Sequence, residues 1–308
     1  MIEAHALTKR YGDVTAVQDL SFMVRPGMIT GFLGRNGAGK STTMRMIVGL
    51  HRPTSGTVTV AGHLYRDLPQ PLREVGTLLD AKAVHPGLTA HTHLRALASS
   101  NGIRATRVDE VLDLAGLADV GGRRAGTFSL GMGQRLGIAA ALLGDPPIIM
   151  LDEPLNGLDP DGVHWLRNLL RELAGQGRTV FFSSHLMSEM ALVADRLIIL
   201  HHGRLIADTT LTDLIQNHSV NTVVAQVHDH AERKALVEIL HRDPAASATA
   251  EDNGTVTARG ITAEQLGRRA RDAGVALAEL TTRTSSLEDV FMTITDGSRP
   301  TPQSREIA

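Results

Sequence analysis

The spacing of apolar positions changes along this chain, and each change predicts a different kind of structure. Short apolar and β-branched runs at residues 14–24 and 28–33 predict strands near the start. Across residues 89–145 the apolar positions recur at helical spacing instead, which predicts a mostly helical block. From about residue 147 strands and helices alternate, an order that is typical of a parallel sheet covered by helices. The pattern therefore predicts an α/β fold with antiparallel N-terminal strands and a helical insert.

A different order of elements follows this α/β region. Residues 221–280 predict strand, helix, two strands, helix and strand, the βαββαβ order of a ferredoxin-like α+β domain, with its last strand at residues 275–280. Thr262 and Gln265 have the spacing of a capping box at the start of the second helix. A last helix is predicted to begin at Ser285. The apolar stripe of that helix consists of Leu287, Val290, Phe291 and Ile294.

These patterns divide the chain into three predicted parts. The first spans residues 1–217 and contains a helical subdomain at about 85–145. The second spans residues 219–296, and we expect it to serve in dimerisation or regulation. The third, residues 297–308, is polar and contains proline, which predicts a flexible tail.

Composition narrows the class of protein. Of 308 residues, 42% are hydrophobic and 21% are charged, which is enough apolar material for a packed core. No apolar run reaches the roughly 18–20 residues that span a bilayer, and the first residues lack the segments of a secretory leader. The absence of cysteine excludes disulfides and thiolate metal sites. A formal net charge of -2 with 3% aromatic residues argues against a nucleic-acid partner.

The strongest chemical signal is a glycine-rich segment between a predicted strand and a predicted helix. Residues 34–42 fit the phosphate-loop pattern G-x-x-x-x-G-K-[ST]. Such a loop cradles phosphates with backbone N–H groups, while Lys40 would contact the β- and γ-phosphates and Ser41 would offer a hydroxyl to Mg²⁺. Because lysine is rare in this chain, Lys40 is not expected from background composition. The predicted binding residues are Gly34, Asn36, Gly37, Ala38, Gly39, Lys40, Ser41 and Thr42.

A second signal is an apolar strand at residues 148–151 that ends in two carboxylates. Open α/β sheets bind ligands at the carboxyl ends of their strands, so this is a suitable position for catalytic acids. We expect Asp152 to hold Mg²⁺ and Glu153 to orient or deprotonate the attacking water. Together with the phosphate loop, this pair predicts a nucleotide triphosphatase.

Three further segments narrow the class of triphosphatase. Residues 128–132 read Phe-Ser-Leu-Gly-Met before an apolar helix, residues 156–159 read Asn-Gly-Leu-Asp after Glu153, and His185 follows an apolar strand. With these elements in this order, the chain resembles the nucleotide-binding subunit of ABC transporters from residue 1 to about 217. The resemblance implies a P-loop NTPase cassette, with a mostly parallel sheet, that binds ATP and Mg²⁺.

The resemblance also implies roles for individual residues. Tyr11 matches the aromatic residue that stacks on adenine, and His185 matches the switch histidine that senses the γ-phosphate. Ser129 and Gly131 match signature residues that contact the γ-phosphate held by a partner subunit. Asp159 matches the aspartate that communicates across the dimer.

Some positions depart from the usual pattern of the family. Asp80 stands where a glutamine usually links Mg²⁺ to the transporter. Aspartate is shorter and charged, so a water bridge could replace direct contact with the metal there. In the signature segment, Leu130 and Met132 replace the usual Gly and Gln. The resulting Ser-Leu-Gly-Met sequence resembles the form found in the drug-exporter branch. Residues 287–291 resemble the ending of type-2 exporter ATPases, a branch that includes daunorubicin- and bacitracin-resistance proteins.

The resemblance thus implies the ATP-hydrolysing subunit of an efflux system for antibiotics, other drugs or lipids. We expect a separate integral-membrane permease, a second cassette that is another copy of this chain, and a peripheral location on the cytoplasmic face of the membrane. One alternative is a soluble ABC ATPase that acts on ribosomes or nucleic acid. A second is a regulatory module that holds ATP without hydrolysing it, against which Glu153 and His185 argue. An import role is also left open.

Overall fold

The structure is a computed structural model that forms two compact units, Met1–Leu211 and the part of the chain from Thr212 onward. It describes residues 1–81, 83–218, 222–244, 246–283 and 287–296. Ser285 and the predicted tail at 297–308 therefore lie outside the described residues. Among the described residues, no helix combines the length and apolar character needed to cross a bilayer.

The first unit contains both strands and helices. Its strands are β1 (Ile2–Tyr11), β2 (Val14–Val24), β3 (Ile29–Leu33), β4 (Ser55–Val60), β5 (Val75–Leu78), β6 (Ile148–Leu151), β7 (Thr179–Ser184), β8 (Arg196–His201) and β9 (Arg204–Thr210). Its helices are α1 (Lys40–Ile47), α2 (Pro71–Glu74), α3 (Ala90–Ser100), α4 (Thr106–Leu114), α5 (Leu130–Leu142), α6 (Pro160–Gly175) and α7 (Met187–Val193).

The strands of the first unit form two sheets. One is six-stranded in the order β5-β6-β7-β3-β8-β9, and its neighbours run parallel except for the β8–β9 pair. The other is antiparallel, in the order β2-β1-β4. The predicted α/β class with antiparallel N-terminal strands is therefore confirmed. In the larger sheet β6, β7 and β3 lie side by side, so their carboxyl ends meet at one edge.

Aromatic packing joins the two sheets of the first unit. Phe22 of β2 lies 5.9 Å from both Phe32 of β3 and Phe181 of β7, measured between ring centroids. The Phe32 and Phe181 rings are 5.1 Å apart. All three side chains are buried in the main apolar cluster of this unit. Because each ring comes from a different strand, the cluster holds β3 and β7 in place beneath the antiparallel sheet.

The helical insert lies between β5 and β6 in the chain and consists of α3, α4 and α5. Its last helix packs closely on the main sheet at Gly76 of β5. A Cβ atom at Gly76 would lie only 1.9 Å from the carbonyl oxygen of Ala141, so only glycine permits this contact. The backbone of α5 is therefore held directly against the edge strand of the six-stranded sheet.

The second unit has the predicted α+β order. Its elements are β10 (Thr222–Gln226), α9 (His230–His241), β11 (Ser247–Ala250), β12 (Thr255–Arg259), α10 (Ala263–Asp272), β13 (Glu279–Arg283) and α11 (Leu287–Asp296), preceded by α8 (Leu211–His218) at the division. Its sheet is antiparallel in the order β11-β12-β10-β13. The predicted capping box is present, since Gln265 N–H donates to Thr262 Oγ1 and Thr262 N–H donates to Gln265 Oε1.

The last strand of this sheet begins later than the sequence predicted. It spans Glu279–Arg283, whereas the prediction was residues 275–280. Val275 instead completes the end of α10: its N–H donates to the carbonyl of Ala270, after Gly274 has turned the chain at φ 71°. Val275, which was predicted to begin the strand, therefore makes the hydrophobic contact at the C-cap of α10.

Removing the second unit tests whether the first folds alone. We expect a chain truncated after His218 to remain soluble and to bind ATP, because the core that surrounds Phe32 and Phe181 lies in the first unit. The second unit has a separate apolar cluster that includes Val223, Leu236 and Leu266. Nucleotide binding and thermal unfolding of the truncated and full-length chains are the measurements. A truncated chain that is insoluble or does not bind ATP would mean that the predicted boundary at 217–219 is wrong.

Candidate nucleotide-binding site

The phosphate-loop segment connects β3 to α1 in a tightly confined path. Gly37 and Gly39 adopt left-handed backbone angles, with φ of 81° and 104°. A Cβ atom at Gly39 would lie 2.6 Å from the carbonyl oxygen of Ala16, and one at Gly34 would lie 2.7 Å from that of Leu200. Side chains at these glycines would therefore either strain the backbone or collide with it, which explains why this loop needs glycine.

The first turn of α1 contains no acidic residue of its own. Gly39 occupies the N-cap position, and no side chain makes a cap hydrogen bond there. Ser41 and Thr42 lie in this first turn, and the Thr43 hydroxyl donates to the carbonyl oxygen of Gly39 at 2.9 Å. A helix start of this kind, joined to a glycine loop, is a suitable place for phosphate oxygens.

Lys40 is buried, with 6% of its surface exposed, and its ammonium group is paired on two sides. Nζ donates to the carbonyl oxygen of Gly34 at 2.7 Å and lies 3.3 Å from Glu153 Oε1. A buried lysine needs such partners to remain charged. The loop therefore holds a positive charge between its own backbone and an acidic side chain.

Glu153 lies between Lys40 and His185. Its second carboxylate oxygen, Oε2, is 2.8 Å from His185 Nδ1. Lys40 begins α1, which the phosphate loop connects to β3. Glu153 comes from the turn after β6 and His185 from the turn after β7. These three strands are neighbours in the parallel sheet, so the sheet brings together residues that are distant in sequence. The geometry unites three residues that the sequence predicted as catalytic.

Asp152 and Glu153 are held by residues to which sequence reasoning assigned no role. The Ser183 hydroxyl donates to Asp152 Oδ1 at 2.5 Å and accepts the backbone N–H of Glu153 at 2.9 Å. The side-chain amide of Gln134, on α5, donates to the carbonyl oxygen of Glu153 at 2.9 Å. The sequence did contain one signal for this role of Ser183: it is a polar residue near the end of β7, the neighbour of the strand that Asp152 and Glu153 follow. The register that pairs β6 with β7 was needed to use it.

Tyr11 lies at the end of β1 and is 44% exposed. Its hydroxyl is 2.7 Å from His51 Nδ1, and the ammonium group of Lys9 lies 4.9 Å from the centre of its ring. Desolvation by burial, with the positive charges of Arg45 and Lys9, lowers the pKa of His51 below its usual value. The phenol ring is thus anchored at its tip and remains accessible to a ligand.

Ser129, Gly131 and Asp159 lie at the starts of α5 and α6. The Ser129 hydroxyl accepts the N–H of Met132 at 3.2 Å, and Asp159 Oδ1 accepts that of Gly162 at 2.8 Å, so both side chains cap helices. A Cβ atom at Gly131 would lie 2.9 Å from the carbonyl oxygen of Gly157, which places the two loops in contact. None of the described hydrogen bonds joins Ser129, Gly131 or Asp159 to the phosphate loop.

The proposed metal ligands supply oxygen atoms, which are the donors that Mg²⁺ prefers. Ser41 begins α1, Asp152 follows β6, and Asp80 lies two residues beyond β5, the neighbour of β6 in the sheet. Among the described residues there is no group of three or more His, Cys, Asp or Glu side chains that could hold a metal alone. This donor set suits a Mg²⁺ ion whose remaining ligands are phosphate oxygens and water.

Comparisons with known proteins identify similar families and relatives. Residues 17–156 match the family model "ABC transporter", and residues 229–288 match "Domain of unknown function (DUF8746)". The chain is 35% identical over 302 residues to the "Bacitracin transport ATP-binding protein BcrA" of Bacillus licheniformis, covering 96% of this chain and 98% of that protein. It is 33% identical over 304 residues to the "Daunorubicin/doxorubicin resistance ATP-binding protein DrrA" of Streptomyces peucetius, covering 96% and 92%.

A solved structure shows the same fold in the first part of the chain. It is a dimeric ATP-binding cassette in a post-hydrolysis state with ADP and Pi, 26% identical to this chain. The match has a TM-score of 0.63 and covers 68% of this chain and 99% of that one. The likeness therefore extends over nearly the whole length of an isolated cassette.

Replacing Lys40 by alanine tests the phosphate loop. We expect ATP affinity to fall about 10- to 100-fold, because a hydrogen bond to a charged group contributes about 1.5–3 kcal/mol. Hydrolysis should be lost in the same variant. Isothermal titration with ATP measures the affinity, and the exposed Lys234→Ala in the second unit is the matched control. Wild-type affinity in Lys40→Ala would contradict the assignment.

Proposed function

Because the chain belongs to the ABC transporter family of ATP-binding proteins, we propose that it is the ATP-hydrolysing subunit of an exporter of antibiotics, other drugs or lipids. The observation that carries the hydrolytic part is Glu153, held between Lys40 and His185 at the edge of a parallel sheet. The export part is supported by end-to-end similarity to proteins whose names state bacitracin transport and daunorubicin resistance.

In this proposal the phosphate loop and the first turn of α1 bind the triphosphate of ATP. Backbone N–H groups from residues 34–42 surround the phosphates, and the Lys40 ammonium group contacts the β- and γ-phosphates. Ser41 and Asp152 would hold Mg²⁺, and Asp80 would contact it through a water molecule. A Mg²⁺ ion bound there would neutralise charge on the phosphates. The adenine ring stacks on Tyr11, whose ring is accessible in the structure.

Hydrolysis then depends on the carboxylate of Glu153. In the structure Glu153 Oε1 lies 3.3 Å from the Lys40 ammonium group and is its counter-ion. Bound phosphates would replace Glu153 as the partner of the Lys40 ammonium group. The carboxylate oxygen released in this way could then accept a proton from the attacking water. His185, 2.8 Å from the other oxygen, orients the carboxylate and can sense the γ-phosphate. Glu153 is therefore the general base of the proposed reaction, and His185 is its partner.

A second copy of the chain completes each nucleotide site in this proposal. Ser129 and Gly131 lie at the N-terminus of α5, whose first-turn N–H groups suit a phosphate supplied from outside the subunit. Asp159 caps the neighbouring helix and would communicate between the two sites. A dimeric cassette is known among the similar solved structures. We therefore propose a homodimer with two ATP molecules at its interface.

The membrane-spanning partner would dock beside the helical insert. A cavity of about 550 Å³ is lined on one side by Ala81, Val84 and Pro86, close in sequence to Asp80, and on the other side by residues from 125 to 136. Its lining is mostly apolar. An apolar segment of a permease on the cytoplasmic face of the membrane fits this chemistry. Purification of the tagged chain from solubilised membranes should recover an integral-membrane protein that mass spectrometry can identify. Recovery of the chain without such a partner would contradict the export role.

Tyr11 variants test the adenine site. We expect Tyr11→Ala to weaken ATP binding by about 1–2 kcal/mol, the scale of stacking between a base and an aromatic ring. Tyr11→Phe keeps the ring and should retain most of the affinity, although it loses the contact with His51. Competition binding with ATP measures both variants. An equal loss in the phenylalanine variant would show that the hydroxyl group matters more than stacking.

Glu153→Gln tests the general base. The amide keeps the shape of the side chain but cannot take a proton, so turnover should fall roughly 10²- to 10⁴-fold. ATP binding should survive, because Lys40, Ser41 and Asp152 remain. If dimers close on ATP and reopen after hydrolysis, the variant should accumulate as a closed dimer in Mg-ATP. Phosphate release and size-exclusion chromatography with light scattering measure the two effects.

The exposed Glu172→Gln on α6 is the matched control for this variant and should keep normal turnover. Unchanged turnover in Glu153→Gln would remove Glu153 from the mechanism. Loss of ATP binding would instead assign Glu153 to the fold or to the metal, and His185 and Asp80 would be the next candidates for the base.

A further inference from the structure

The backbone of Glu153 has an unusual conformation for a residue with a side chain. Its φ angle is 48°, in the left-handed region that favours glycine. Such a conformation persists only where the surrounding contacts hold it. The direction of the Glu153 carboxylate, towards Lys40 and His185, follows from this backbone turn.

The N–H group of Glu153 is held by a buried serine. Ser183 is fully buried on β7, and its hydroxyl accepts this N–H at 2.9 Å. The same hydroxyl donates to Asp152 Oδ1 at 2.5 Å. One side chain therefore links the proposed metal ligand to the backbone of the proposed general base.

The carbonyl group of Glu153 is held by a buried glutamine. Gln134 on α5 is 4% exposed, and its amide nitrogen donates to this carbonyl oxygen at 2.9 Å. Its amide oxygen has no hydrogen-bond partner in the part of the chain that the structure describes. Burying a side-chain amide whose oxygen makes no hydrogen bond is unfavourable. The hydrogen bond from the amide nitrogen to Glu153 is therefore the contact that explains a glutamine at this position.

We propose that Ser183 and Gln134 are positioning residues that hold the left-handed backbone of Glu153 from both sides and so aim its carboxylate for proton transfer. This inference rests on the proposed function, in which Glu153 is the general base. Gln134 lies on the helix that Ser129 caps, so a displacement of α5 would be transmitted to the backbone of Glu153. The contact thereby gives the helical insert a direct connection to the catalytic carboxylate.

Steady-state hydrolysis by the full-length chain tests this inference. Gln134→Met keeps the length of the side chain but removes the donor, and Ser183→Ala removes the hydroxyl. We expect kcat to fall about 10- to 100-fold in each, because small displacements of a catalytic group have effects of this size. KM for ATP in Gln134→Met should stay within about threefold, since none of the hydrogen bonds described for Gln134 reaches the phosphate loop or Asp152.

The chain offers a matched control for the serine variant. Ser184 is also buried on β7, but its hydroxyl accepts the N–H of Leu186 and makes no described bond to Glu153. Ser184→Ala should keep kcat close to wild type. Ser183→Cys retains a weaker hydrogen-bonding group of similar size and should recover part of the loss. Thermal unfolding is measured for every variant to identify any that fail to fold. If the Ser183 variants do not fold, Gln134→Met tests the inference.

A double-mutant cycle with Glu153→Gln separates positioning from a general structural effect. If Gln134 acts through the carboxylate, Gln134→Met should cause almost no further loss of turnover once Glu153 is glutamine. Equal losses in both backgrounds, or an unchanged kcat in Gln134→Met, would overturn the inference while leaving Glu153 as the base. Full turnover in Glu153→Gln would overturn the proposed base and the positioning role together.

Discussion

The proposed chemistry depends on the alignment of three neighbouring parallel strands. Because β6, β7 and β3 run in the same direction, the turns after them meet at one edge of the sheet. That edge collects Glu153, His185 and Lys40, which lie far apart in the chain. The aromatic cluster of Phe22, Phe32 and Phe181 supports this arrangement, since it packs two of these strands against the antiparallel sheet.

Charge balance explains how a buried lysine is tolerated at this site. A lysine with 6% of its surface exposed would be strongly destabilising without a partner, and Glu153 provides one at 3.3 Å. The same carboxylate is the proposed base, so in the proposed mechanism nucleotide phosphates and Glu153 would compete for one ammonium group. That competition would link occupancy of the phosphate loop to the availability of the base. The contacts from Ser183 and Gln134 would then set the direction of the released carboxylate.

Local sequence patterns predicted some elements well and others poorly, for identifiable reasons. The buried strand at Ile148–Leu151 is a continuous apolar run, and its predicted bounds match the structure. β1 was not predicted as a separate strand: its alternation is interrupted by register shifts against β2 and by a positive φ at Ala6. The last strand of the second unit was placed too early, because Val275 is apolar in either a strand or a helix cap. Periodicity cannot distinguish these two uses of one residue.

The sequence by itself determined the α/β class, the order of the elements in the second unit and the position of a phosphate-loop pattern between a strand and a helix. Each of these depends on residues that are adjacent in the chain, where spacing and residue type are sufficient evidence. The roles of Tyr11, Ser129 and Asp159 came from resemblance to a family and stay predictions. Only the tertiary structure decided that Ser183 and Gln134 hold the backbone of Glu153. Those contacts depend on strand register and on the packing of α5 against the sheet. Both bring together residues that are distant in the chain, so no local sequence pattern predicts them.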